Sequence, residues 1–391
     1  MNLSDNTPYE ELITSETASA TLHDPAAIPG TDRSTSCTPP SIAKPGLPTL
    51  KLDTRHLAVA TRNVRMMHLL ERIASRFNEA DVPLMALKGA ALNLLLYRQP
   101  HERPMSDLDL MAPAKWISRA RVILEDCGCH TGAPLVREDF FPRYYYETEY
   151  AFGEIFPTRI DLHARPLRPL RYARLMPIDA LWDGAKMTSI GKATVLVPND
   201  ADMLIHLAAH AAVHGCAHGK WIEDIRRWIA VRGQRLNWER FLRNVAQWRL
   251  ALPVRTTLNL IRDEITIPAH VDAGLKKMTV NWRDRLVLRH APRDAEHTAA
   301  HVVVNAVCTP GWRFVLGYLA AIAFPGRAHM ADWYPHRHWG WLACAHATRI
   351  LRPPFVGLLN AVKGLFTKRA STTGEQSITK LTERDARRRG Q

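Results

Sequence analysis

The residues from Leu87 to Met111 are those whose types and spacing could do chemistry. Leu87-Lys88-Gly89 is followed by Arg103 and then by Ser106-Asp107-Leu108-Asp109-Leu110-Met111. Successive side chains of a strand point to opposite faces, so Asp107 and Asp109 share a polar face while Leu108 and Leu110 enter a core. Two carboxylates so placed can hold Mg²⁺. A third acid, Asp161, stands in Arg159-Ile160-Asp161-Leu162-His163, where apolar and polar residues again alternate. Three carboxylates converging on hard divalent cations suit in-line phosphoryl or nucleotidyl transfer, because the attacking and leaving oxygens both need their charge neutralised. Asp161 would bind one metal and take the proton of an acceptor hydroxyl. His163 beside it would orient it.

Gly89 lets the backbone approach a phosphate and present N–H groups at the start of a helix, where the dipole favours anions. Its alternative is a simple turn. Lys88 and Arg103 flank the acid face and could contact the β- and γ-phosphates of a nucleotide, or serve only as ion-pair partners. His206, His210, His214 and His218 recur every four residues, which stacks them along one helical face. With no Glu completing an HExxH pattern, hydrogen bonding within a packed helix is favoured over a zinc site. Asp224 would pair with a histidine or arginine. The basic run Arg159, Arg165, Arg168, Arg171 and Arg174 reads as a solvated face before it reads as a polynucleotide surface. Trp312, Phe314, Trp339, Trp341 and Phe355 read as helix core before a membrane interface.

These groups need elements to position them. Apolar residues at Val64, Met67, Leu70, Ile73 and Phe77 predict an amphipathic helix over Arg55 to Glu79. Val82 to Lys88 reads as a buried strand, Ala90 to Tyr97 as a helix, and His101 to Met105 as a turn into the Asp107 strand. Trp116 to Cys127 reads as another helix. Tyr144 to Phe152 and Thr158 to His163 read as paired strands, with one more at Thr194 to Val197. After Pro198 the periodicity becomes helical to about Phe366, with Asp200 as its N-cap. The domains expected are a disordered segment over 1–50, a catalytic unit over 51–199, a helical unit over 200–366 and a basic disordered tail over 367–391.

The 391 residues are 46% apolar and carry a formal net charge of +14. That length admits two or three domains with a sizeable core, and the charge implies an anionic partner without saying which. The start lacks a basic n-region and an apolar h-region, so a cytoplasmic location is expected. The longest uncharged apolar stretch, Phe314 to Pro325, falls short of the roughly 20 residues that span a bilayer. Six irregularly spaced cysteines (Cys37, Cys127, Cys129, Cys216, Cys308, Cys344) fit free thiols better than a disulfide frame.

Lys88-Gly89, Arg103, Asp107-Leu108-Asp109, Asp161-Leu162-His163 and a downstream helix bearing His206, His210, His214 and Asp224 resemble the bacterial nucleotidyltransferase-like family of the polymerase-β superfold, in its Lys-Gly branch. The likeness covers about residues 55 to 345. It implies an α+β fold, a nucleotidyltransferase-like mixed sheet flanked by helices and followed by a mainly α-helical domain. It also implies a glycine turn cradling a triphosphate and acids binding two Mg²⁺ ions. The function expected is transfer of a nucleoside monophosphate from an NTP to an unidentified small-molecule, peptide or protein acceptor, with pyrophosphate released. A polynucleotide acceptor is less favoured. The alternative is a non-catalytic nucleotide-sensing or partner-binding module with the same fold.

Overall fold

The computed structural model describes residues 53–131, 140–144, 146–291, 299–326 and 330. The segments expected over 1–50 and 367–391, the helical stretch from 331 to 366 and the aromatics Trp339, Trp341 and Phe355 lie outside the described residues. The first helix, Thr54–Glu79, starts at Asp53, whose side chain accepts from the Arg55 N–H, and its buried stripe includes Met67, Leu70, Ile73 and Phe77. That is the three-to-four spacing the sequence shows, and it packs across the sheet.

Seven strands form one mixed sheet among the described residues, in the order β3-β4-β5-β2-β1-β7-β6. They are β1 (Met85–Ala86), β2 (Asp107–Met111), β3 (Cys129–Thr131), β4 (Glu147–Phe152), β5 (Thr158–His163), β6 (Lys186–Ile190) and β7 (Ala193–Val197). The centre pairs β2 with β5 in parallel and β1 with β2 antiparallel. The fold is α+β, a mixed sheet flanked by helices, with further helices after Pro198.

Local details depart from the sequence reading for physical reasons. The strand expected over Val82 to Lys88 shrinks to Met85–Ala86 because the chain turns at Lys88, whose φ is +42°. The next helix therefore runs Lys88–Leu95, two residues earlier than expected at each end. The N-cap after Pro198 is Asn199, whose side chain accepts from the Ala201 and Asp202 N–H groups; Asp200 is already helical. Strands β3 and β6 were not expected, being short and largely polar.

Helix Asp200–Val213 is buried on nearly all sides, as an apolar helix at the centre of a bundle must be. Helices Gly219–Arg232, Trp238–Gln247 and Ala251–Leu260 pack around it. One continuous core joins the sheet to this bundle, from Met66 through Leu110 and Ile205 to Trp248. The basic run is a solvated face only in part, with Arg159 and Arg174 exposed and the others drawn inward. Arg171 is buried, its Nε donating to Asp284 at 2.5 Å and its Nη1 to the Cys308 carbonyl at 2.8 Å, and Arg165 donates to the Ala173 carbonyl.

Asp202 sits at the centre of the helical half with no exposure. It accepts from Arg240 Nη2 at 2.8 Å and Asn244 Nδ2 at 2.6 Å, and also from Asn199. Breaking a buried charge pair costs about 3–5 kcal/mol. Because the Arg240 side chain is 31% exposed and can rehydrate, Asp202→Ala should destabilise by about 3 kcal/mol, at the low end of that range. Urea unfolding monitored by far-UV circular dichroism measures this; a loss under about 1 kcal/mol would show that the network does not hold the bundle.

Candidate active site

Parallel pairing of β2 and β5 sets Asp107 opposite Arg159, Asp109 opposite Asp161 and Met111 opposite His163. Antiparallel β4 then brings Glu149 beside Asp161 and Glu147 beside His163. The period of two puts all these charged groups on one face. Leu108, Leu110, Ile160, Leu162 and Tyr150 fill the core on the other. Asp107, Asp109 and Asp161, expected from separate stretches, are thus neighbours in the middle of the sheet, and His163 stands with them.

The face opens into a cavity of about 310 Å³ whose lining includes Lys88, Gly89, Arg103 and the three aspartates. Asp109 and Asp161 are both buried. Lys88 Nζ donates to Asp109 Oδ1 at 2.6 Å, and His163 Nε2 donates to the same oxygen at 3.0 Å. Burial opposes ionisation of Asp109, but Lys88 and His163 outweigh it and hold its carboxyl well below the usual range. Burial likewise opposes the Lys88 charge, and Asp109, Glu147 and Asp107 together raise its pKa above the ordinary lysine value. Lys88 is thus a fixed cation. Its left-handed backbone is costly for a non-glycine residue and persists only where the surroundings impose it; the ion pair to Asp109 is such a constraint.

Arg159 bridges the other two acids. Its Nε and Nη2 meet Asp161 at 3.1 and 2.8 Å, and Nη2 stands 3.4 Å from Asp107 Oδ2. Burial pushes the Asp161 carboxyl up to about 6, with Glu147 and Asp109 adding to the rise and Arg159 opposing it. Sequence reasoning placed Arg159 in a basic run and overlooked Glu147. The signal for Glu147 was present in the alternation Glu147-Thr148-Glu149-Tyr150.

Arg103 is buried, and its Nε and Nη2 donate to Asp224 at 3.0 and 2.9 Å. Tyr97 donates to the same carboxylate at 2.6 Å. A phosphate contact from Arg103 is therefore restricted to Nη1, which lies against Gly89, so that a Cβ on Gly89 would collide with it. Gly89 has no positive φ; close approach of the guanidinium explains the glycine. Asn63, on the first helix, holds the Arg103 loop by donating to the Pro100 and Arg103 carbonyls at 2.6 and 2.7 Å and accepting from the Met105 N–H at 3.1 Å. No pattern in the sequence marks Asn63. The helix expected to carry the histidines and Asp224 is two helices, because the chain turns through left-handed Gly215 and Cys216 between them.

A hard divalent cation fits this donor set. The three aspartates stand on one face, with carboxylate oxygens of the kind such a cation prefers. Among the described residues the group whose ligand atoms lie within 4.8 Å of one another is Asp109, Glu147 and His163, which shares only Asp109 with the triad expected from the sequence. With Lys88 and Arg159 already on the carboxylates, a cation would take its place beside or instead of these basic groups.

Residues 42–263, more than half of the chain, match the profile of a family of uncharacterised nucleotidyltransferases. The chain belongs to that nucleotidyltransferase family. No curated protein matches it. Among solved structures, ANT(2'')-Ia in complex with adenylyl-2''-tobramycin is 19% identical, covering 48% of this chain and 99% of that one at a TM-score of 0.35. An antigenic nucleotidyltransferase-like protein from Paracoccidioides brasiliensis is 15% identical, covering 58% and 94% at 0.33. A protein from H. pylori assigned to the nucleotidyltransferases is 11% identical, covering 60% and 99% at 0.29. Likeness at these scores carries no argument about chemistry, and the membership rests on the sequence match.

Among the described residues no helix is long and apolar enough to cross a membrane, and Cys127, Cys129, Cys216 and Cys308 are free.

The raised Asp161 pKa has a consequence for stability. Its carboxyl binds a proton more tightly in the folded than in the unfolded chain, so its stabilising contribution is complete below the ordinary value of 3.8 and is lost as pH rises through about 6. Asp161→Asn should therefore gain stability relative to wild type as pH rises across that window. Thermal unfolding of both proteins without divalent cations tests this; a difference that does not change with pH would contradict the assigned environment.

Proposed function

We propose that the chain is a Mg²⁺-dependent nucleotidyltransferase that moves a nucleoside monophosphate from an NTP to a small-molecule, peptide or protein acceptor. The observation that carries this reading is the register placing Asp109 beside Asp161, with Asp107 on the same face, over a cavity that also holds Lys88 and Gly89. We take residues 51–199 as the catalytic unit and the helices from residue 200 onward as its cover. The family membership supports the class of reaction; the acceptor, the metal and a cytoplasmic setting belong to the proposal.

Asp107, Asp109 and Asp161 would hold the divalent ions, with Glu147 within reach of Asp109 and His163. Bound there, the ions supply positive charge to the phosphate oxygens and the leaving pyrophosphate. The chain's own groups do the rest. The first N–H groups of helix Lys88–Leu95 have no intrahelical partner and face an anion well. Lys88 lies beside them as a permanent cation for the phosphates, and Arg103 can add its Nη1. Asp161, with proton affinity raised by burial, is suited to take the acceptor's proton, since a general base works best near the operating pH. In the reaction the acceptor oxygen bonds to the α-phosphorus, the bond from that phosphorus to the pyrophosphate oxygen breaks, and the acceptor proton passes to Asp161. His163, fixed between Asp109 and Glu147 at 3.0 and 3.4 Å, orients the carboxylates.

One observation favours a second reading, a nucleotide-binding module without turnover. Lys88 and Arg159 already neutralise the acids, so phosphate could bind without chemistry. Pyrophosphate release from each NTP with Mg²⁺, using cell extract as acceptor source, separates the two. Transfer requires release by wild type that falls to background in the Asp107→Ala, Asp109→Ala double variant. Nucleotide binding with no release by wild type would support the module, and no nucleotide binding would remove both readings.

A further inference from the structure

The histidine ladder has no part in the scheme above, yet two of its rungs reach the same cavity. His206 is sealed in the core with its Nε2 donating to the Pro166 carbonyl at 3.0 Å. His210 and His214, one and two turns further on, line the cavity opposite the sheet, and Trp221 from the next helix joins them. The three rings pack against one another at steep angles, 54° between His210 and His214, 76° between His210 and Trp221 and 50° between His214 and Trp221. Their centroids are 4.5 Å apart for His210 and His214, 4.9 Å for His210 and Trp221, and 5.0 Å for His214 and Trp221. His218 braces the outer side of Trp221 edge-on at 4.4 Å.

The two walls differ in chemistry. Every carboxylate lining the cavity stands on the sheet, whereas the helical wall offers the rings and Lys220. Burial, with Lys88 nearby, lowers the His210 pKa well below the imidazole range, so the ring adds no charge to this wall. We infer that Trp221, with His210 and His214 packed around it, offers the ring on which the nucleobase of the bound NTP stacks. The wall rests on the nucleotide site proposed above.

Two features favour the base over the acceptor as occupant. Lys88 stands against Asp109 at 2.6 Å and close enough to His210 to perturb its charge, so the rings adjoin the phosphate-binding groups. An acceptor bearing cationic amines would instead find its partners at the sheet rim, where Glu149 is exposed with 67% of its side chain in solvent. The wall is held in place by its own helix. Trp221 and Asp224 lie three apart on one face of Gly219–Arg232, and Asp224 is locked to Arg103 and Tyr97. Stacking on rings is tolerant of base identity because every base has a π-face, so little discrimination among the four bases is expected.

Titration calorimetry of the full chain with Mg·ATP and with Mg·tripolyphosphate tests the wall, because tripolyphosphate carries the charge without the base. Trp221→Leu should weaken ATP binding by roughly ten- to a hundredfold while leaving tripolyphosphate within about twofold, and Trp221→Phe should restore most of the ATP affinity. If Trp221→Leu does not fold, His214→Gln at the helix terminus reads the same contrast. Wild type binding ATP no tighter than tripolyphosphate, or a variant that weakens both alike, would overturn the stacking surface and leave the phosphate site standing. Wild type binding neither would overturn the nucleotide site, and the stacking surface with it.

Discussion

The buried ion pair between Arg103 and Asp224 is the constraint on which the site depends. Its two side chains are 6% and 1% exposed, and removing one partner of such a pair leaves an uncompensated charge that costs about 3–5 kcal/mol. The pair joins the loop before β2 to the helix carrying Trp221, so it fixes the distance between the acidic face and its helical cover. Tyr97 shares the Asp224 carboxylate, and Asn63 pins the Arg103 loop through two carbonyls and one N–H. Gly89 completes the arrangement by leaving room for the guanidinium. One interaction thus seats the Lys88-Gly89 turn, the acid strand and the helical wall together.

A second constraint is charge balance on the sheet face. Five carboxylates crowd there, and like charges held near one another disfavour each other's ionisation. Lys88 and Arg159 answer this by sitting among them, Lys88 on Asp109 and Arg159 across Asp107, Asp161 and Glu149. The basic groups let the acids fold close together. Asp107, at 26% side-chain exposure, is the most accessible of the three aspartates, and Arg159 is itself half-exposed.

Much of this was legible locally. The alternation in Asp107-Leu108-Asp109-Leu110 and Arg159-Ile160-Asp161-Leu162 gave two strands, their faces and three acids, because a period of two is set by backbone geometry alone. The apolar stripe gave the first helix for the same kind of reason. What the sequence could not show is pairing between distant segments. Nothing near Glu147 says that β4 lies beside β5, nothing near Arg103 says that Asp224 is its partner, and nothing near Asn63 says that it grips a loop about 40 residues away. Arg171 failed as a surface residue because its partner Asp284 lies 113 residues on. The Lys88 turn was hidden by the adjacent glycine, which drew the expectation of backbone freedom one residue too far.

The measurement that bears most directly on the central claim is anomalous diffraction from crystals grown with Mn²⁺ and a non-hydrolysable NTP analogue. The account requires manganese bound to Asp107 and Asp109, the triphosphate across the start of helix Lys88–Leu95, and Arg159 moved off at least one of its carboxylates. Manganese and nucleotide elsewhere, with Lys88 and Arg159 still closing the acids, would contradict a nucleotidyl-transfer site on this face.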